Sequence, residues 1–186
     1  SQQYSGALQT LNLLLRENPA TGFKNRVNYW LGYVTFYRAE LIRQETSLTE
    51  AIPEYQEVTA LLENIDSARL KEENYLQRLL LLGWAWLFQE KPLRASNYWE
   101  AYLGKSGGED TEQALILKHR LAIGFQKQKT FGSASRFFGR VADEHPESRL
   151  AASSSFWRAE MNYAAALSGN KNKKISLKQA RNILDY

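Results

Sequence analysis

Apolar residues recur at three- and four-residue intervals along almost the whole chain, as in Tyr4-x-x-Ala7-x-x-x-Leu11 and Phe131-x-x-Ala134-x-x-x-Phe138. That spacing puts them on one face of a helix, and the alternation expected of half-buried strands is absent. The pattern predicts nine helices, at about residues 4–17, 22–43, 48–64, 68–90, 92–104, 111–128, 131–145, 148–167 and 176–186. The breaks have chemical causes. Asn18 and His145 each precede a proline, which pushes them out of the α region. Pro92 suits a first turn, where a missing N–H costs nothing, and Pro53 is expected near the start of its helix for the same reason. Gly104 to Gly108 is glycine-rich and Gly169 to Lys174 is polar, so both are expected to interrupt helices.

Long and short helices alternate, and the alternation carries an internal repeat. Leu121-Ala122-x-x-Phe125 is followed by Phe131-x-x-Ala134-x-x-x-Phe138 and Pro146. Leu82-Gly83-x-x-Trp86 is followed by Pro92-x-x-Ala95-x-x-x-Trp99. Leu31-Gly32 opens a third unit, completed by Leu48-x-x-Ala51-x-x-x-Tyr55. Leu177-x-x-Ala180-x-x-x-Leu184 starts another. Small residues let helix axes approach while large neighbours fill the grooves. Gly32, Gly83, Ala122 and Ala159 are therefore expected to face the alanines Ala7, Ala51, Ala95, Ala134 and Ala180.

These positions resemble the tetratricopeptide repeat (TPR), with Lys118 where that repeat usually places a tryptophan. The junction Glu144-His145-Pro146-Glu147-Ser148 before Ala151-Ala152, and the similar Pro19-x-Thr21, resemble the periplasmic TPR proteins of Gram-negative bacteria. The TolA-binding cell-division coordinator and the barrel-assembly lipoprotein are of that type. The hydroxyls of Thr21 and Ser148 are placed to cap the following helices. The resemblance implies an all-α fold, a right-handed TPR-like α-solenoid of antiparallel hairpins forming one array over residues 1–186. It also implies a periplasmic, outer-membrane-associated address, with the cytoplasm as the alternative. Tyr4, Leu8 and Leu11 at one end, and Ile183, Leu184 and Tyr186 at the other, are poor solenoid caps. The chain is accordingly expected to be a fragment of a longer repeat protein, or to self-associate through its ends.

Composition narrows the chemistry. There is no cysteine, which excludes disulfides and thiolate metal sites. The longest apolar run, Leu79 to Phe88, falls short of the ~18 residues a membrane span needs. The net charge of +4 is too small to imply nucleic acid, and the cluster of Lys171, Lys173 and Lys174 reads as a solvated surface. The two histidines, His119 and His145, lie on different helices without metal-ligand spacing, and His145 suits the negative end of a helix dipole. Gly104 to Gly108 lacks the spacing of a phosphate loop, and carboxylates such as Glu72-Glu73 and Glu109-Asp110 sit near helix starts. The expectation is no catalysis, no cofactor and no metal.

Five Trp, ten Tyr and eight Phe must fill a core or line a surface. The resemblance places the first helix of each pair on the concave face. Carried over, it gives Tyr29, Tyr33, Phe36 and Tyr37, then Trp84 and Phe88, then His119 and Lys127, then Phe156 and Tyr163 as partner-contact residues. Aromatic residues offer contact area at low entropic cost, so a groove for a protein or peptide partner is expected. The implied function is a scaffold or adaptor in a bacterial envelope complex, or alternatively a helical regulatory domain of a cell-wall enzyme. Aromatics at helical spacing also serve as core. Alanine at Tyr33 and Phe36 separates the two, since core residues cost stability and groove residues cost only binding.

Overall fold

The computed structural model describes residues 2–17, 20–108 and 111–168, and among them all regular structure is helical. The helices are α1 (Gln2–Glu17), α2 (Thr21–Glu45), α3 (Leu48–Glu63), α4 (Glu72–Phe88), α5 (Pro92–Ser106), α6 (Glu112–Lys127), α7 (Phe131–Glu144) and α8 (Ala151–Leu167). The expected ninth helix, the Lys171–Lys174 cluster, Glu109-Asp110 and Asn18-Pro19 lie outside the described residues.

Several ends differ from expectation for local reasons. α4 starts at Glu72, because Ser67–Arg69 forms a 3₁₀ turn whose Ala68 N–H donates to the Asp66 carboxylate. α8 starts at Ala151 with Leu150 at its cap, and the Ser148 hydroxyl has no hydrogen-bond partner. Ala20 stands at the cap of α2 without a side-chain bond, and the Thr21 side chain expected to cap lies outside what is described. Pro53 lies in the second turn of α3, on an exposed flank where water can serve the carbonyl it leaves unpaired. α5 runs through Gly104 and stops before Gly107, whose φ of +64° is glycine's natural territory.

α4 and α6 end in one and the same way. After α4, Glu90 N–H donates to Leu87 O and Lys91 N–H to Trp86 O, both at 2.9 Å. After α6, Lys129 N–H donates to Gln126 O and Thr130 N–H to Phe125 O, again at 2.9 Å. This is the Schellman motif, here with Glu90 (φ 58°) and Lys129 (φ 57°) where glycine is usual.

The chain divides into two compact units, Ser1–Ser106 and Gly107–Tyr186. In the first, α2 packs on α3, α4 on α5, α3 on α4, and α2 also touches α4. Its core joins Tyr29, Phe36, Ala39, Tyr55, Leu62 and Leu82. A smaller cluster of Leu8, Val27 and Leu31 attaches α1, so Leu8 is buried rather than an open end. In the second unit α7 packs on both α6 and α8, around Leu121, Phe125, Phe137, Phe138 and Val141.

The small residues act as expected, against different partners. A Cβ on Gly32 would meet Leu62, and one on Gly83 would meet Trp99, rather than Ala51 and Ala95. The alanines Ala51, Ala95 and Ala134 are fully buried on their own account. The interior holds both paired and unpaired polar groups: the Asn25 amide nitrogen and the Thr35 and Ser154 hydroxyls are buried without a hydrogen-bond partner among the described residues, whereas two ionisable groups are bonded. Lys118, buried in α6, reaches the Glu144 carboxylate at the end of α7. Tyr55 donates to Glu40, and burial together with that bond pushes its pKa well up.

Candidate functional site

α2 carries the densest aromatic surface. Trp30, Tyr33 and Tyr37 follow one another at helical intervals, so they stack along one face. Trp30 and Tyr33 meet edge to face at 5.5 Å between ring centres, and Tyr33 and Tyr37 lie 4.8 Å apart. Trp30 is 47% exposed and Tyr37 37% exposed, while Tyr33 is half-buried. The hydrogen bond with Tyr33, then burial, pushes the Tyr37 pKa up to about 12.

Behind this row the rings continue inward without a gap. Phe36 touches Tyr37 (5.7 Å) and Tyr55 (5.9 Å), Tyr55 touches Phe88 (4.8 Å), Phe88 stacks on Trp84 (5.6 Å), and Trp84 meets Trp99 (4.9 Å). The Arg43 guanidinium lies 5.0 Å from the Phe88 ring centre, and Arg43 also binds Glu40. One aromatic ladder thus links α2, α3, α4 and α5, and its outer rungs are held by rings that cannot move independently.

Two of the residues expected at the partner surface are core. Tyr29 is 3% exposed and Phe36 6% exposed, and both belong to the main cluster of the first unit. The cause is the close approach of α2 and α3, which turns those positions toward Tyr55 and Leu62. Trp84 and Phe88 are half-buried rungs of the ladder. Tyr33 and Tyr37 remain at the surface. Trp30, which the repeat pattern did not single out, is the most exposed member of the row; its spacing from Tyr33 and Tyr37 was the available signal.

In the second unit, Phe156 and Tyr163 of α8 are 50% and 48% exposed, and neighbouring Trp157 is also exposed. Trp157 stacks on Phe138 at 6.4 Å, and His119 lies edge-on to the same ring at 5.9 Å. Burial, then Arg120, lowers the His119 pKa, which favours the neutral ring against Phe138. Lys127 is exposed on α6. His145 Nε2 lies 3.5 Å from Lys118 Nζ, so this histidine belongs to the Lys118–Glu144 cluster. Among the described residues no three His, Asp or Glu side chains converge as a metal site, and no helix is long and apolar enough to cross a membrane.

No protein-family model and no curated protein matches the chain. Among solved structures the chain is similar to the crystal structure of BtubC (BKLC) from P. vanneervenii, with 14% identity and a TM-score of 0.45 over 99% of this chain and 72% of that one. A similarity at this level leaves catalytic activity undecided in both directions. The expectation that the chain is not an enzyme is therefore withdrawn: it rested on missing motifs, and helices can assemble an active site from scattered carboxylates that no motif announces.

Proposed function

We propose that the chain is a TPR-like solenoid segment that holds a protein partner against the aromatic row of α2. The observation that carries the reading is the pairing of exposure with support. Trp30 and Tyr37 face solvent, yet they stand on a ladder that runs to buried Trp99. Large rings already fixed before binding lose little entropy when a partner covers them. The repeat reading draws support from three features. α2 contacts α4 as well as α3, Gly32 and Gly83 each admit a bulky side chain from the next helix, and α4 and α6 share one cap. The Glu144–Ser148 junction supports placing the protein in a bacterial envelope complex.

A photo-crosslinking amino acid in place of Tyr37, introduced in the cells that make the protein, tests the reading. A discrete protein adduct is expected there and not from the same group in place of exposed Arg149. Equal labelling at both positions, or none at Tyr37, contradicts it.

A further inference from the structure

A second feature of the first unit shares no residue with the aromatic row. The end of α3, with α4 and α5, encloses a cleft of about 670 Å³. Its polar lining comes from Glu63, Tyr75, Arg78, Arg94, Asn97 and Tyr98.

The charges in this cleft do not cancel. Glu63 Oε1 accepts from Trp86 Nε1 at 2.9 Å and from the Tyr98 hydroxyl at 2.8 Å. Both donors are neutral, so they fix the carboxylate without neutralising it. Arg78 is 7% exposed and donates to Leu62 O (2.6 Å), Ser67 Oγ (3.1 Å) and Glu63 O (3.4 Å). All three acceptors are neutral too. A guanidinium has five N–H groups, so two of Arg78's remain for another acceptor. Arg94 is exposed, its guanidinium held 4.4 Å from the centre of the Trp86 ring, and it forms no ion pair among the described residues. At the rim, Lys105 Nζ lies 5.0 Å from the Tyr75 ring centre. Two guanidinium groups therefore line the cleft against one carboxylate.

Arg78 feels the Glu63 charge but makes no hydrogen bond to a carboxylate oxygen among the described residues, and an incoming oxyanion gives a largely buried guanidinium that direct partner. The charge already contributed by Glu63 favours a monoanion over a dianion. The exposed flank formed by Glu63, Arg94 and Asn97 leaves room for a chain to lie across the opening. We propose that this cleft binds a carboxylate side chain from an acidic, extended segment of a partner protein. Arg94 and Arg78 donate to the carboxylate, and Asn97 and Tyr75 flank it. The proposal does not depend on the aromatic row.

Calorimetric titration of the whole chain at low salt, with an end-capped oligoglutamate peptide and its oligoglutamine counterpart, tests it. Only the glutamate peptide is expected to bind, and added salt should weaken it. Arg94→Ala, on an exposed position that leaves folding intact, should lower affinity about tenfold or more, the scale of one charge-assisted bond. Arg149→Ala should not change it. Equal binding of the two peptides, or unchanged affinity in Arg94→Ala, overturns the proposal. So does tighter binding of inorganic phosphate than of the glutamate peptide.

Discussion

A Cβ built on Gly83 of α4 would lie 2.0 Å from Nε1 of Trp99 in α5, and 2.2 Å from its Cδ1. The indole is fully buried and its N–H donates to Leu80 O at 3.2 Å, so it has nowhere to retreat. Glycine here is the space into which Trp99 fits, and the two residues together set how closely α4 and α5 approach.

Gly83→Ala should therefore destabilise the first unit. The helix-propensity gain of about 1 kcal/mol is outweighed by overpacking of about 1–3 kcal/mol or more against a rigid ring. Gly104→Ala, where a Cβ meets nothing within 4 Å, should be neutral or stabilising by up to about 1 kcal/mol. Urea denaturation of both variants checks the contrast. Destabilisation of equal size at both sites would remove the packing explanation.

The distinction between core and face is tested by truncation. Phe36→Ala should cost about 3–5 kcal/mol, because it empties space around Tyr55 and Leu62. Trp30→Ala should shift stability by no more than about 0.5 kcal/mol, since nearly half of its surface is already in water. Thermal melts of the two variants suffice, and a large loss in Trp30→Ala would make the row part of the core.

These two cases show what was legible in the sequence. The periodicity specified the all-helical class and most helix ends, because helical burial has one period and prolines punctuate it. The spacing of Gly83 and Trp99 marked them as special, although not as each other's partners: Gly83 was expected to face Ala95, and only the crossing of the two helices shows which residue fills the gap. The aromatic content of α2 was equally plain. Which rings face water was not, since Tyr29, Phe36 and Tyr37 lie on adjoining flanks of one long helix and the packing of α3 divides them. The cap residues Glu90 and Lys129 carried no signal at all, because a left-handed position usually announces itself by glycine.

Acid should weaken the second unit through Glu144. Partial burial tends to raise its pKa, but hydrogen bonds from Lys118 and Arg140 outweigh this and hold it below the ordinary carboxylate value. A depressed folded-state pKa contributes stability that is present above the unfolded-state value and lost as pH falls through the folded-state value. The thermal midpoint should therefore fall between about pH 5 and 3. Glu144→Gln should cost about 1–2 kcal/mol at neutral pH, a buried-pair loss discounted for the one-third exposure of Glu144. It should also flatten the acid slope. An unchanged slope in Glu144→Gln would mean that other carboxylates govern it.

Alkali should act on the row itself. The Tyr33 hydrogen bond is the largest cause of the raised Tyr37 pKa of about 12, so Tyr33→Phe should bring Tyr37 back toward ordinary phenol ionisation. A raised folded-state pKa means stability is intact below the unfolded-state value and lost as pH climbs through the folded-state one. Ultraviolet difference titration of phenolate formation should show in Tyr33→Phe one phenol fewer than the ten of the wild type and, besides that loss, one tyrosine ionising earlier. Curves that differ only by the lost phenol would break the link between the two hydroxyls.

The most direct measurement is the affinity of a peptide selected from a random library on the immobilised chain, titrated against wild type and the Trp30→Ala/Tyr37→Ala variant. The account predicts a loss of about tenfold or more, the cost of truncating interface aromatics, in a variant that still unfolds cooperatively in urea and is less destabilised than Phe36→Ala. Equal affinity for both proteins would contradict it.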